Sequence, residues 1–322
     1  MSMQEAIKNF SEQFSYQPEI QNKEKLLNYQ WCILVGMGGS HLAADILKIY
    51  NPSVHMTIHE DYGLPYPAEM LKNSLVIASS YSGNTEEVID AYKKAKEQGI
   101  ALAAVSVGGK LIEMAKEDGI PYIQLPDTGI QPRSALGFSL KALMALMKED
   151  KGLEELNMIS DINPEDFEEE GRSIAKSLQG KVPAIYSSQV NQPIAYNWKI
   201  KFNETGKIPA FYNVFPELNH NEMTGFDVVD STKKLSENMC FIFLRDELDN
   251  PRIKKRMQVM KKLFEDRKLQ VLDVELRGDN LFKKIFSSLI LADWAAYHTA
   301  EFYGLEPEQV PMVEEFKKLI TE

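Results

Sequence analysis

The chain has 322 residues, of which 44% are hydrophobic and 26% are charged, and its formal net charge is −11 at pH 7. This composition is typical of a soluble globular protein with one large or two medium domains. The acidic balance argues against nonspecific nucleic-acid binding, and no apolar run approaches the roughly 20 residues that cross a bilayer.

The N-terminal segment, MSMQEAIKNFSEQF, is polar and amphipathic and lacks the apolar core of a signal peptide. We expect helices over residues 3–14 and 22–29. Both cysteines, Cys32 and Cys240, lie within apolar runs, which favours buried free thiols in a reducing cytoplasm. The five histidines show no metal-ligand spacing with enough further ligands nearby, so we expect no metal.

The first predicted strand, Trp31–Val35, runs into the sequence GMGGSHLAADILKIY. Its glycines predict a turn that brings the backbone close to a ligand, and Ser40 is expected to cap the next helix. The pattern partly matches the dinucleotide fingerprint, but its sixth position is His41 rather than glycine. The second strand is predicted at Val54–Ile58. Glu60 follows at its end, near the position where a dinucleotide site would have its ribose-binding acid. The match to a nicotinamide-cofactor site is therefore incomplete.

A second turn, SSYSGNT, follows the apolar run Leu75–Ala78 and precedes an amphipathic pattern that begins at Glu86. A strand, a tight turn and a helix N-terminus aim backbone N–H groups at one point, and the hydroxyls around that point suit a phosphate monoester. Hydroxyl clusters before helices are most often plain caps. The glycine turn upstream favours phosphate instead, and a dinucleotide site would not require the second turn. The predicted phosphate-binding residues are Gly38, Gly39, Ser40, Ser80, Ser82 and Thr85.

The rest of the chain continues the alternation of strands and helices. Further strands are predicted at 101–105, 121–125, 182–186, 208–213, 239–244 and 269–274. This order predicts an α/β protein with doubly wound, mainly parallel sheets and helices on both faces. The acidic segment 149–163 is predicted as the boundary between domains 1–150 and 151–322. Only the first half has the paired glycine and hydroxyl turns, so the first half should hold the phosphate.

The paired turns resemble those of the sugar isomerase (SIS) fold. Three further motifs, PRSAL (132–136), KFNETGKIPA (201–210) and FPELNHNEMTGF (215–226), are similar to the bifunctional phosphoglucose/phosphomannose isomerase family. The resemblance covers essentially the whole chain, and FPELNHNE is its most specific part. It implies two SIS domains, the second carrying the catalytic Glu and His and a C-terminal helix.

The resemblance implies an aldose–ketose isomerase that acts on glucose 6-phosphate and fructose 6-phosphate through a cis-enediol, without a cofactor. Such a reaction needs a base near C2, a group at the ring oxygen and a donor for the developing oxyanion. The matching residues are Glu204 as base, His220 and Lys317 at the ring oxygen, and Arg133 at the enediolate. The family takes the histidine from the neighbouring subunit, which implies a homodimer with shared active sites.

One position departs from the family pattern. The tail has Val310-Pro311 where the family commonly has Thr-Pro, and that threonine is associated with reaction of both C2 epimers. Glucose 6-phosphate chemistry is therefore expected, whereas mannose 6-phosphate activity is left open. Two other functions also remain open: another SIS enzyme that acts on amino-sugar phosphates, and a sugar-phosphate sensor without catalysis. We expect no nucleic-acid or membrane partner.

Overall fold

The computed structural model describes residues 1–321, which form two compact units. The first unit comprises Met1 and Asn9–Ile162, and the second comprises Ser2–Lys8 and the chain from Asn163 onward. The division thus lies at 162/163, twelve residues beyond the predicted 150/151 boundary (162 − 150). It falls at the end of the predicted boundary segment 149–163, most of which belongs to the first unit and includes a helix, Asp150–Asn157, whose Leu156 is fully buried.

The first unit contains a five-stranded parallel sheet with the strand order β2-β1-β3-β4-β5. The central strands are short apolar runs that are buried almost throughout, as expected for a parallel sheet covered on both faces. The strands are β1 (Trp31–Val35), β2 (Met56–His59), β3 (Ser74–Ser79), β4 (Ala101–Ser106) and β5 (Tyr122–Gln124).

One short helix, α1 (Met3–Lys8), precedes this unit in the chain and belongs to the second unit. The helices of the first unit are α2 (Leu42–Tyr50), α3 (Ala68–Leu71), α4 (Glu86–Glu97), α5 (Gly109–Asp118), α6 (Leu136–Leu146) and α7 (Asp150–Asn157). Apolar side chains of α4 and α5 pack with those of β3 and β4 in one continuous core. The predicted alternation of strands and helices is confirmed.

The predicted helix over residues 22–29 is wrong, and that over 3–14 is interrupted. Only one 3₁₀ turn, Lys23–Lys25, forms in the former region. Asn22 has a positive φ of 55° and its side-chain amide donates to the carbonyl of Ile120 at 2.9 Å. Gln21 pairs with Tyr122 across an isolated antiparallel bridge. The segment therefore satisfies its polar groups against the edge of the sheet instead of within a helix.

The second unit contains a four-stranded parallel sheet with the order β7-β6-β8-β9. Its strands are β6 (Val182–Ser188), β7 (Phe211–Phe215), β8 (Met239–Arg245) and β9 (Gln270–Glu275). Its remaining helices are α8 (Glu168–Ser177), α9 (Gln192–Glu204), α10 (Lys233–Ser236), α11 (Pro251–Asp266), α12 (Leu281–Phe302) and α13 (Pro311–Thr321). An aromatic core on one face of the sheet includes Phe241, Phe243 and Phe264.

The long helix α12 is buried along most of its length, and Lys201 of α9 forms a buried 2.6 Å ion pair with its Asp293. Within residues 1–321, no helix is both long enough and apolar enough to cross a membrane.

Candidate active site

The two predicted phosphate turns meet at the carboxyl edge of the first sheet. Strands β1 and β3 are neighbours, and Val35 lies in register with Ala78. This is the point where the strand order reverses, since β2 lies on one side of β1 and β3 on the other. Ligands of doubly wound sheets bind at such a switch point. The sheet topology therefore brings both turns to one place.

Ser40 joins the two turns rather than capping a helix. Helix α2 begins at Leu42 without a side-chain cap, so the predicted capping role of Ser40 is wrong. Instead, the backbone N–H of Tyr81 donates to Ser40 Oγ at 3.0 Å. The hydroxyl of Ser79 donates to the Ser40 carbonyl oxygen at 2.9 Å. These two bonds fix the first turn against the second.

The hydroxyls of the second turn form a compact group before α4. Ser80 Oγ lies 2.8 Å from Thr85 Oγ1 and accepts the N–H of Gly83 at 3.1 Å. Ser80 is fully buried, whereas Ser82 is exposed at the rim. Helix α4 begins at Glu86, as predicted. The N-terminus of α4 and the hydroxyls of Ser80 and Thr85 thus share one turn, as an anion site requires.

A third turn, after β4, supports the second and was not recognised in the sequence. Ser106, fully buried, donates to the carbonyl oxygens of Tyr81 at 3.2 Å and Gly108 at 2.9 Å. A Cβ at Gly83 would lie 1.8 Å from the Gly108 carbonyl oxygen, and one at Gly109 would lie 2.5 Å from that of Ser82. A sequence signal was present, because Ser106 ends β4 as Ser79 ends β3.

Arg133 lies beside these turns in the first unit. It lies in a 3₁₀ turn, Pro132–Ser134, and is only 2% exposed. A Cβ at Gly39 would come within 3.0 Å of the Pro132 carbonyl carbon and 3.1 Å of the Arg133 nitrogen. Gly39 therefore permits close packing between the glycine turn and the arginine turn. This packing places a permanently charged residue beside the phosphate turns.

Gln13 holds the turn that carries Arg133, Pro132–Ser134, through its side-chain amide. No sequence pattern indicated this role. Its side-chain amide donates to the Ser134 carbonyl at 2.7 Å, and its carbonyl oxygen accepts the N–H of Gly137 at 2.9 Å. Gln13 is 3% exposed. The bonds tie the end of the arginine turn to the first turn of α6.

Glu204, His220 and Lys317 lie in the second unit. Glu204 is the last residue of α9 and is half-buried, and its backbone carbonyl accepts a 2.6 Å bond from Lys207 Nζ. The same Lys207 ammonium also donates to the carbonyl of Gln309, just before α13. One cation thus links the end of the glutamate helix to the start of the helix that carries Lys317.

His220 is exposed between two 3₁₀ turns, Glu217–Asn219 and Glu222–Phe226. Glu222 has a supporting role, because its carboxylate accepts hydrogen bonds from Tyr186 and Asn213. Burial, followed by the charge of Glu222, raises the pKa of Tyr186. Tyr186 therefore stays protonated and holds the segment that presents His220.

Lys317 lies on α13, where its ammonium is 2.8 Å from the Glu314 carboxylate and its side chain is 61% exposed. The structure thus brings together Arg133 and the six residues predicted to bind phosphate in the first unit, while the other three predicted catalytic residues lie in the second unit. Across residues 1–321, no group of three or more His, Cys, Asp and Glu side chains could hold a metal ion.

Comparison with known proteins agrees with this geometry. Residues 167–320 match the bacterial phospho-glucose isomerase C-terminal SIS domain. A bifunctional phosphoglucose/phosphomannose isomerase of Aquifex aeolicus (strain VF5) is 32% identical over 97% of this chain and 96% of its own length. The enzyme of the same name from Caldicellulosiruptor bescii is 34% identical over 90% of this chain and 89% of its own length.

The fold also occurs in a solved structure, the C-terminal domain of glucosamine-fructose-6-phosphate aminotransferase from Francisella tularensis. It superposes with a TM-score of 0.71 at 16% identity and covers 95% of this chain and 98% of its own. The likeness at this identity concerns the fold. The sequence matches over nearly the full length carry the assignment, and the chain belongs to the bifunctional phosphoglucose/phosphomannose isomerase family.

Proposed function

We propose that the protein is an aldose–ketose isomerase that interconverts glucose 6-phosphate and fructose 6-phosphate, with mannose 6-phosphate as a further product to be tested. The observation that carries this proposal is the family match over 97% of the chain. The interlocked turns in the first unit support the proposal, because their hydroxyls and backbone N–H groups suit a phosphate. The two buried free cysteines are consistent with a cytoplasmic enzyme.

The phosphate group would be held by the turns at the carboxyl ends of β1 and β3. Ser80 and Thr85 contribute hydroxyls, and the N-terminus of α4 contributes backbone N–H groups. The exposed Ser82 would offer its hydroxyl from the rim of the site. Gly38 has a positive φ of 53°, and a Cβ at this residue would have no atom within 4 Å, so its backbone is accessible to the ligand.

The proton transfers would use the other four residues. His220 and Lys317 act at the ring oxygen and open the ring. Glu204 then removes the C2 proton of the aldose, while the C1 carbonyl gains a proton and becomes a hydroxyl. The resulting cis-enediol loses its O2 proton, and Glu204 returns a proton to C1 to give the ketose. Arg133 stabilises the negative oxygen in the transition state without exchanging a proton.

The assembly would be a homodimer with shared active sites. His220 is exposed in the single chain, which suits a residue that serves the site of a partner subunit.

The first test is an NMR time course with purified protein and fructose 6-phosphate, in which glucose 6-phosphate and mannose 6-phosphate are both followed. Both products would mean that Val310 supports reaction of both epimers. Glucose 6-phosphate alone would mean that the valine narrows the specificity. Binding without conversion would overturn the isomerase proposal in favour of a sensor, and ammonia release from glucosamine 6-phosphate would favour an amino-sugar enzyme.

Replacement of the proposed base tests the mechanism. Glu204→Gln keeps the size of the side chain and removes its proton-accepting carboxylate, so kcat should fall by at least about 1,000-fold with little change in KM. Glu217→Gln, an exposed glutamate beside His220, serves as the matched control. Near-normal kcat in folded Glu204→Gln protein would contradict the assignment.

A further inference from the structure

Two hydroxyl groups beside the candidate site are buried without a hydrogen-bond partner. Within residues 1–321, the buried side-chain oxygens that lack a partner belong to Tyr81, Thr128 and Asp249. The two hydroxyls both lie in the first unit, whereas Asp249 lies in the second. A buried hydroxyl without a partner destabilises the folded state. A functional site is one place where a protein retains such groups.

The two hydroxyls are neighbours. Burial raises the pKa of Tyr81, and the adjacent Thr128 hydroxyl offsets part of this rise by lowering the same pKa. The Tyr81 hydroxyl therefore stays protonated and can donate, while the Thr128 oxygen can accept. Their geometry falls short of a hydrogen bond, so a small movement is enough to form one.

Tyr81 extends from a rigid part of the second turn. Its backbone N–H donates to Ser40 Oγ at 3.0 Å. Its carbonyl oxygen accepts the Ser106 hydroxyl at 3.2 Å and the N–H of Val107 at 3.0 Å. The turns after β1 and β4 thus hold this residue from both sides. The movement that forms the bond must come from the segment that carries Thr128.

Thr128 lies on the loop that leads into the turn of Arg133, five residues before the arginine (133 − 128). Asp127 and Gly129, on either side of it, are exposed. The Asp127 carboxylate accepts the N–H of Gly129 at 3.2 Å, which is a bond within the loop. Exposed loop segments of this kind move at low free-energy cost.

A dianion at the site would draw this loop towards the second turn. The N-terminus of α4 and the hydroxyls of Ser80 and Thr85 lie on one side of the site, and the turn of Arg133 lies on the other. A dianion held by the second turn attracts the permanently charged guanidinium. The attraction pulls the arginine turn, and the loop before it, in the direction of Tyr81.

We propose that Tyr81 and Thr128 are positioning residues whose hydroxyls bond to each other only when a dianion occupies the site. This pairing rests on the proposed function, since the dianion is the phosphate group of a sugar phosphate. The free protein leaves both hydroxyls unpaired, and the complex satisfies them with one bond. Capture of the phosphate thereby fixes the loop that leads to Arg133, the residue proposed to stabilise the enediolate.

Variants that remove either hydroxyl test the pairing through two measurements. Tyr81→Phe and Thr128→Val change the shape of the side chain little. Urea unfolding of the free variants should give midpoints equal to or above that of the wild type, because an unpaired buried hydroxyl is removed. Calorimetric titration should show a Kd for fructose 6-phosphate that is about tenfold higher, because the complex loses the bond.

The double variant and a conservative variant test whether the two hydroxyls act as one pair. Tyr81→Phe/Thr128→Val should bind within about twofold of either single variant, because all three lose the same bond. Thr128→Ser keeps a hydroxyl and should bind within about threefold of the wild type. Losses of affinity that multiply in the double variant would overturn the pairing.

Tyr92→Phe is the matched control for a hydroxyl with a purely structural role. The Tyr92 hydroxyl donates to the Asp118 carboxylate at 2.9 Å in the free protein. Its removal should therefore lower the urea midpoint and leave the Kd within about twofold of the wild type. The same pattern in Tyr81→Phe, or an unchanged Kd in that variant, would overturn the proposal.

Inorganic phosphate, titrated separately, shows whether the dianion alone closes the loop. Its Kd should also rise about tenfold in Tyr81→Phe and in Thr128→Val. A loss confined to fructose 6-phosphate would mean that the hydroxyls contact the sugar directly, and would overturn the closure. A wild type that shows the expected binding pattern but does not convert fructose 6-phosphate would contradict only the proposed isomerase function.

Discussion

At the residue scale, Lys141 is a buried cation without a carboxylate among the partners described for it. It is fully buried in α6 and donates to the Phe14 carbonyl at 2.5 Å and to Asn157 Oδ1 at 2.6 Å. Both partners are neutral, so they offset only part of the cost of removing the ammonium from water. Burial lowers the pKa of Lys141 from 10.5 to about 8.

The lowered pKa predicts a pH-dependent contribution to stability. Because the unfolded chain binds this proton more tightly than the folded chain, the contribution of Lys141 should rise with pH from about 8 to 10.5 and stay constant below 8. The total change is about 3 kcal/mol for a shift of this size. We predict that the stability of the wild type relative to Lys141→Met increases across this pH range.

The measurement is urea unfolding of both proteins at a series of pH values. Burial raises the pKa of Cys32 and Cys240 to about 12, and these thiols destabilise the folded state above about pH 9. Their effect is common to both proteins and cancels in the difference. Parallel pH profiles for the wild type and Lys141→Met would show that the ammonium titrates normally in the folded protein.

At the scale of elements, the proposed phosphate site depends on turns that interlock through their backbones. Gly83 has a φ of +74°, and its α-carbon faces the Gly108 carbonyl so closely that a Cβ would lie 1.8 Å from that oxygen. Gly83→Ala should therefore displace the second turn or the third. We predict that KM for fructose 6-phosphate rises at least about tenfold, with a smaller effect on kcat.

Gly99→Ala is the control that distinguishes displacement of the turns from backbone strain at a positive φ. Gly99 has a similar φ of +67°, but no atom lies within 4 Å of its Cβ position. The strain of a positive φ costs about 1–2 kcal/mol in either variant, so both should lose stability. Only Gly83→Ala should lose affinity for substrate. Equal KM values in the two variants would mean that the third turn does not support the phosphate site.

The strands and the positions of the two predicted phosphate turns were predictable from the sequence because their signals are local. Apolar runs that end in Gly36 or Ser79 identify the carboxyl ends of strands, and alternation with helices predicts that these ends lie on one edge. The hydrogen bonds that hold the turns were not predictable. Ser40 has the local pattern of a helix cap, yet its partner is the N–H of Tyr81, 41 residues away.

Contacts between residues distant in sequence also explain why the helix over residues 22–29 and the exact domain division were not predicted correctly. Residues 22–29 have helical composition, but Asn22 and Gln21 find partners near residue 120. The acidic segment 149–163 is predicted as the boundary between domains, but its Leu156 is fully buried and belongs to the first unit. In both cases contacts between residues distant in sequence outweigh local propensity. Gln13 is a third example, because its role depends on partners at Ser134 and Gly137.

The second sheet has the same switch-point topology as the first, but carboxylates rather than hydroxyls lie at its carboxyl edge. Its neighbouring strands β6 and β8 are followed by Asn191 and by Asp246 and Asp249, all buried. Lys284 forms a 2.6 Å ion pair with Asp246, and burial raises the pKa of Asp249. Carboxylates occupy the edge where the first unit has hydroxyls, and they disfavour phosphate there. The idea that the first half holds the phosphate stays a prediction, which this difference supports.

At the scale of the whole molecule, an acidic protein is proposed to bind a dianionic substrate. The net charge of −11 creates a repulsive field for a sugar phosphate, and the attraction of Arg133 and the helix N-terminus acts only at short range. The Debye length falls from about 30 Å at 0.01 M salt to about 8 Å at 0.15 M. Salt therefore screens the distant repulsion more than the local attraction.

We predict that kcat/KM for fructose 6-phosphate increases about twofold to fourfold between 0.01 and 0.15 M sodium chloride, while kcat stays nearly constant. Initial rates at substrate concentrations far below KM measure this ratio directly. Sodium acetate replaces the chloride in a control series, because an anion that competed for the phosphate turns would lower kcat/KM in an ion-specific way. A decrease common to both salts would mean that the local field of Arg133 controls substrate capture, and that the acidic surface lies too far from the site to affect it.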